Sequence, residues 1–279
     1  LKKALFLFSL IAFYGISCSG QTYQGTDFWF GVLENLFPSK SIQLMVVADQ
    51  GTTVNIEAPA QGYVTNYNVG SGTTIINLDK SVLYPTAGAG IVDDKGAHIT
   101  ANHPISIYIL NEDVFSSDAT PIIPFNRILK GEKYIVQSLP GSTIDASSFL
   151  IVSTKDNSVF SITPSAKTVS GFIAGSTFNV TLDYGETILV KADNAGDLSG
   201  STVVSKDGCE KFVVFAGSKC SQSEYSSGNC TGCDHLYTQL IPVSHYGKQF
   251  YLAPFALQAG NYVAKVTASE DNTIILMMA

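Results

Sequence analysis

Leu44-Met45-Val46-Val47-Ala48-Asp49-Gln50-Gly51-Thr52-Thr53-Val54 decides the reading of this chain. Two apolar, β-branched runs flank Asp-Gln-Gly, residues that tolerate the left-handed backbone of a tight reversal, so the stretch predicts strand, turn, strand. The same form returns at Leu150-Ile151-Val152-Ser153-Thr154-Lys155-Asp156-Asn157-Ser158-Val159 and again at Val263-Ala264-Lys265-Val266-Thr267-Ala268-Ser269-Glu270-Asp271-Asn272-Thr273-Ile274. Each turn follows, by about 25 residues, a glycine, two polar residues and an aromatic-led strand: Gly25-Thr26-Asp27-Phe28-Trp29-Phe30, Gly131-Glu132-Lys133-Tyr134-Ile135-Val136 and Gly247-Lys248-Gln249-Phe250-Tyr251-Leu252. Those openings lie 106 and 116 residues apart. Later portions match as well: Thr74-Ile75-Ile76-Asn77-Leu78 with Phe178-Asn179-Val180-Thr181-Leu182, and His103-Pro104-Ile105-Ser106-Ile107-Tyr108 with Glu210-Lys211-Phe212-Val213-Val214-Phe215. A fixed period of this kind reads as copies of one unit.

Capped runs of period 3.6 are missing, whereas short β-branched runs recur about every ten residues, so the chain reads as all-β. A unit of about 110 residues with six or seven strands has the size of an antiparallel β-sandwich, which would bury its own core without neighbours. The expected architecture is tandem β-sandwich-like repeats with the last one truncated. A propeller-like arrangement is the alternative, because aromatic strand openings suit blades equally well. The domains expected are a leader at 1–20, a β repeat at 21–120, a second with a Cys-rich loop at 121–235, and the start of an incomplete third at 236–279.

The leader is read from Lys2-Lys3, the apolar run Ala4 to Ile16, and the small polar stretch Ser17-Cys18-Ser19-Gly20, the order of a Sec-type signal peptide. As a helix that run rises about 20 Å, short of a hydrocarbon core of roughly 30 Å, so cleavage is expected rather than a transmembrane anchor. Lipidation at Cys18 is the alternative, disfavoured by Gly15 where a lipobox prefers Leu. The expected compartment is outside the cell or on its surface, as part of a longer multidomain chain. With 16 Lys+Arg against 23 Asp+Glu the net charge is −7, and no basic cluster offers a footprint for nucleic acid.

Candidate sites are sparse. Cys209, Cys220, Cys230 and Cys233 form an even, clustered set that reads as two disulfides in an exported chain. Zinc would call for a second close ligand pair beside Cys230-Thr231-Gly232-Cys233, and a redox role for a βαβ context. His98, His103, His235 and His245 read as structural or surface residues, since no nucleophile-base pattern surrounds any of them. Asp234 and His235, as neighbours on a strand, should point apart. Asp193-Asn194-Ala195-Gly196-Asp197 suggests calcium but lacks the ligand ladder and closing Glu, and Asp93-Asp94 is the only other acidic cluster read here. Trp29, a sugar platform if exposed, reads as core because all three copies repeat the aromatic-led strand. Asn179 and Asn229 head glycosylation sequons, read as idle in a bacterial chain. No cofactor is called for, and the chain reads as non-enzymatic.

Cys233-Asp234-His235-Leu236, Gln239-Leu240-Ile241-Pro242-Val243 and Gly247-Lys248-Gln249-Phe250, together with Gly25 to Phe30, Asp197-Leu198-Ser199-Gly200 and Val213-Val214-Phe215-Ala216-Gly217 ahead of Cys220, resemble the N-terminal domain family of the IgGFc-binding protein. The bacterial members resembled are parts of large Bacteroidota surface proteins, often with gliding-motility or type IX secretion sorting C-termini. The resemblance implies an extracellular binding or adhesion module, with a spacer unit of a large surface protein as the alternative and a secreted hydrolase third. It also implies the pairs Cys220–Cys233 and, by remainder, Cys209–Cys230. The second pair requires the chain to fold back near Gly217. Ser116 to Ile123 and Ser221 to Gly232, at corresponding positions in the first two units and rich in Ser, Asp, Asn and Gly, are the loops expected to recognise an extracellular protein or glycan.

Overall fold

The computed structural model describes residues 23–37, 40–139, 145–221, 233–253 and 264–277. The leader, Cys18, Asn229 and Cys230 lie outside these residues. The first half contains β1 (Gly25–Phe30), β2 (Ser41–Ala48), β3 (Thr52–Ala58), β4 (Tyr63–Val69), β5 (Gly72–Leu78), β6 (Val92–Asp93), β7 (Ala97–Glu112) and β8 (Ser117–Pro121). The second contains β9 (Lys133–Ile135), β10 (Ser147–Ser153), β11 (Ser158–Thr163), β12 (Phe178–Leu182), β13 (Thr187–Lys191), β14 (Thr202–Ser205), β15 (Phe212–Ser221) and β16 (Asp234–Gln239). The protein is all-β with several antiparallel sheets, one of them curled into a half-barrel.

The turn at Asp49-Gln50-Gly51 differs from a hairpin. β2 pairs with β5 and β7, and β3 with β4 and the other end of β7, so the turn carries the chain across the core instead of joining hydrogen-bonded neighbours. Both strands still alternate as the sequence does: Ile42, Leu44 and Val46 meet Val54 and Ile56 inside. The turn after β10 also joins strands that do not pair, here in different sheets, with Asn157 at φ 55°, and its counterpart Asn272 has φ 59°.

The pairings of the first half recur in the second. β1 with the start of β7 corresponds to β9 with β14, β2 with β5 to β10 with β13, and β3 with β4 to β11 with β12. β2 with the end of β7 corresponds to β10 with β15, β3 with the start of β7 to β11 with β14, and β7 with β8 to β15 with β16. One long β7 does in the first half what β14 and β15 share in the second.

The second half has a cluster of its own, but the core of the first half takes in residues of the second, which corrects the expectation of units that each bury themselves without neighbours. All seven residues of β10 are buried. Phe149 and Ile151 pack with Tyr134, Phe160 and Val203 on one side, whereas Leu150 and Val152 join the cluster of Phe28, Leu44 and Ile107 on the other. The β16-β15-β10-β13 sheet is therefore a middle layer, and β6 of the first half extends it by pairing with β13. Burial on both faces explains the unbroken apolar runs Phe149 to Val152 in β10 and Phe212 to Gly217 in β15. Sheets stacked in this way are sandwich-like rather than blades around an axis.

Candidate functional site

At one end of the first half, β7 turns into β8 through Asp113 to Ser116, closed by Asp113 N–H donating to the Ser116 carbonyl (3.0 Å). Val114 and Phe115 project from the tip, 68% and 79% exposed, and Phe37 meets Phe115 edge to face with ring centroids 6.3 Å apart. Exposed side chains of this size need a rigid base to remain presented. The base is a buried polar network. Asn35 Nδ2 donates to the Ser116 carbonyl (3.0 Å), and Asn111 Nδ2 donates to the Leu33 carbonyl (2.8 Å).

His235 completes it. Its Nδ1 lies 3.0 Å from the Ser218 carbonyl, an acceptor only, so Nδ1 carries the proton and Nε2 accepts from Asn111 Nδ2 at 3.2 Å. Burial lowers the imidazole pKa to about 4, keeping it neutral at ordinary pH, against the opposing pull of the Ser218 carbonyl and Asp234. Asp234 is exposed and His235 buried, as neighbours on a strand should be.

β8 and β16 are joined by side chains. Ser116 Oγ, Asp118 Oδ2 and Thr120 Oγ1, at every second position, accept from the main-chain N–H groups of His235 (2.5 Å), Tyr237 (2.8 Å) and Gln239 (3.0 Å). Ser116 Oγ–H in turn donates to Asp234 Oδ1 (2.9 Å), and Gln239 Oε1 accepts from Ile123 N–H (2.7 Å). The ladder satisfies the outer edge of β16 and locks the first sheet to the middle one. Desolvation raises the Asp118 carboxyl pKa, although the N–H groups of Tyr237 and Ala119 favour its charged form.

Ser116 to Ile123 is therefore mostly strand and not a free loop, with Ser117 and Ala119 exposed on β8 and Val114 and Phe115 exposed on the turn before it. Signals for this were present in the alternation Ser116, Asp118, Thr120, whose polar side chains suit an edge-covering ladder. Of Ser221 to Gly232 only Ser221, the buried last residue of β15, is described. Cys220 and Cys233 form a disulfide with Cα atoms 5.1 Å apart, closing that connection at its root beside the network. Lys219 pairs with Glu34 (3.4 Å) across the same end.

Of the second expected disulfide, Cys209–Cys230, only Cys209 lies among the described residues. β15 runs unbroken through Gly217, so the chain does not fold back there. Phe212 to Cys220 spans about 26 Å of strand, and Cys209 lies beyond the Phe212 end, near Lys155 and Asp207. Cys209 is an exposed free thiol among the described residues, and Cys230, its expected partner, lies outside them.

The other candidates lie apart from this end. Trp29 is buried and stacks on His98 with centroids 4.4 Å apart, while His98 Nε2 meets Asp27 Oδ1 at 2.9 Å, so this aromatic face is closed to a sugar. His103 lines a shallow cleft with Thr52 and Asn68. Ser244 Oγ donates to Glu132 Oε1 (2.6 Å) and lies 2.9 Å from His245 Nδ1. Here acid and imidazole both meet the hydroxyl, whereas a catalytic triad needs the acid on the far side of the imidazole. Asp193 pairs with Lys167 (2.9 Å) and Asp197 with Lys265 (2.6 Å), so ammonium groups sit where calcium was weighed. Asp93 accepts from Thr86 and Ala87 N–H groups, which hold its pKa down against burial. Asn179 is exposed on β12. No group of three or more metal-ligating side chains, and no helix long and apolar enough to cross a membrane, occurs among the described residues.

A family model described as IgGFc binding protein matches residues 118–278. The Homo sapiens protein named IgGFc-binding protein is 27% identical over 176 residues, 62% of this chain and 3% of that much longer protein. Among solved structures, vicilin from hazelnut, Corylus avellana, aligns over 68% of this chain and 70% of its own at 10% identity, with a TM-score of 0.23. The family match covers more than half of the chain and takes in Asp118, the β15–β16 pair with its disulfide, His235 and the Asp197 box, so the chain belongs to the IgGFc-binding protein family.

Proposed function

We propose that the protein is a non-catalytic binding module outside the cell, and that it recognises a protein through the end where Val114, Phe115 and Phe37 project. The observation that carries this reading is the exposed Phe37–Phe115 pair on a turn whose base is wired by buried Asn35, Asn111 and His235. A rigid, apolar tip beside a disulfide-rooted connection has the make-up of a protein-recognition anchor. The name of the human relative makes the immunoglobulin Fc region the first partner to try. The units fit this role as tandem copies of one sandwich, the first ending at Pro121 with β8, the second at Gln239 with β16, and the third opening at Gly247. The recurrence of the pairings supports that division, and the clustered cysteines and apolar leader support export.

The test is a glycoprotein and glycan array, including immunoglobulin Fc, probed with the wild type and with Phe115→Asp. A protein ligand lost in Phe115→Asp, with an unchanged thermal melt, supports the site. Ligands retained by that variant would remove it, and binding to nothing on the array would favour a spacer unit of a larger surface protein.

A further inference from the structure

A cleft of about 370 Å³ opens where the start of β3 and the end of β4 meet β7. Its wall is set by a break in β7. Ala101 still pairs with Val54, and Ile105 pairs with Gly25 and Ala48, but Asn102, His103 and Pro104 between them pair with none of β1, β2 and β3. These three exposed residues bulge from the sheet, a place that suits Pro104 because it has no N–H to offer the ladder. His103 N–H donates to Thr52 Oγ1 (3.0 Å), which pins the bulge to the first residue of β3. Asn102 and His103 are thereby held at the cleft, which they line with Thr53 and Asn68.

Among the described residues no carboxylate, ammonium group or Phe, Tyr or Trp ring lines this cleft, and its one apolar side chain, Val69, is buried. A charged ligand would find no counter-charge there, and an apolar one little surface to cover. What the lining offers is neutral hydrogen bonding. Thr53 Oγ1 donates to Asn68 Oδ1 (2.9 Å), which leaves Asn68 Nδ2 to donate outward. The Asn102 carboxamide donates and accepts side by side, the neutral His103 imidazole does so at its two nitrogens, and no described residue engages either side chain. The fold does not impose this set. In the second half Ser158, Val159 and Thr181 take the places of Thr52, Thr53 and Asn68, and Glu210, which matches His103, is bridged to Lys155 (2.6 Å).

We propose that the cleft between the β7 bulge and the β3–β4 pair is a binding site for a neutral glycan, separate from the apolar tip at Phe115. Two neighbouring hydroxyls of a sugar ring can bond to one carboxamide, one donating to its carbonyl and the other accepting from its amino group. Asn68, Asn102 and His103 around one opening therefore match a ligand that is uncharged and hydroxylated on every side. A shallow cleft takes the end of a sugar chain and leaves the remainder in water. With only a few neutral hydrogen bonds to hold it, each contributing modestly, such a ligand binds in the millimolar range.

Saturation-transfer NMR of the full chain, with titration, against neutral oligosaccharides of glucose, galactose, mannose and N-acetylglucosamine tests this. The expected result is binding of at least one of them, weakened by roughly tenfold or more when Asn68→Ala and Asn102→Ala are combined, because each removes a hydrogen bond to the ligand. Gly51→Phe is the independent second variant. A Cβ at Gly51 would lie 3.6 Å from the Val69 carbonyl, an ordinary contact, so a larger side chain can fill the cleft from its own wall. Unchanged thermal melts show that both variants are folded. Phe115→Asp should leave the sugar bound, so that this site and the tip stand or fall separately. Silence across the panel, a sugar retained by either cleft variant, or one lost in Phe115→Asp overturns the proposal.

Discussion

His235 concentrates the chemistry of the end that carries Val114 and Phe115 in one side chain. Its imidazole is buried and neutral, with pKa lowered to about 4 from 6.5. In the unfolded chain it takes a proton as pH falls through 6.5, while the folded chain resists until about 4, so the unfolded state binds more protons in that window. Stability contributed by this residue is thus complete above pH 6.5 and lost on acidification, by about 3 kcal/mol. Asp118 acts in the opposite sense, because a raised carboxyl pKa favours the folded state at low pH. The difference between wild type and His235→Gln separates the two. Melts at a series of pH values should show His235→Gln less stable at neutral pH by about 1–3 kcal/mol, from the unsatisfied Ser218 and Asn111 groups, with the gap narrowing towards pH 4. A gap independent of pH would show that the imidazole is not the titrating group. From sequence, His235 was legible as structural and as opposed in direction to Asp234. Its partners were not, because Asn111 and Ser218 reach it from distant parts of the chain.

At the scale of elements, strands were legible and their pairings were not. Period-2 alternation reports which side chains face the core, and Leu44, Val46, Val54 and Ile56 all do. It says nothing about whether two consecutive strands are hydrogen-bonded neighbours, which is why the turn after β2 reads as a hairpin and is a crossing. Gly217 shows the same limit. Its place in an apolar run looks like a bend, yet β15 is continuous there, and the missing side chain lets the Leu236 carbonyl of β16 approach where a Cβ would collide with it. The Cys220–Cys233 bridge then fixes the far end of the pair. It closes a 13-residue separation, for which chain entropy gives about 3 kcal/mol of stability. Urea melts of Cys220→Ser/Cys233→Ser should show a loss of that order, and Cys209→Ser none. An equal loss from Cys209→Ser would mean that its thiol is engaged elsewhere.

In the whole molecule, repetition and cooperativity separate. The opening glycine, the aromatic-led stretch and the turn recur in sequence, and the strand pairings of the first half recur in the second. That the copies share a core does not show, because Leu150 and Val152 look like any buried β-branched run until Gly31 is found against them. The consequence concerns unfolding. Alternate residues of β10 serve different clusters, Phe149 the one with Phe160 and Leu150 the one with Leu44. Removing the middle sheet would expose one face of each cluster, so neither half has an independent route to a stable state over the described residues. One cooperative transition is expected, with Trp29 fluorescence reporting the first half and far-ultraviolet circular dichroism both. Phe149→Ala and Leu150→Ala, each worth about 2–5 kcal/mol, should lower that one transition together by either probe. If Phe149→Ala shifted the dichroism and left the Trp29 signal in place, the halves would unfold separately and the middle layer would be a contact between domains rather than a common core.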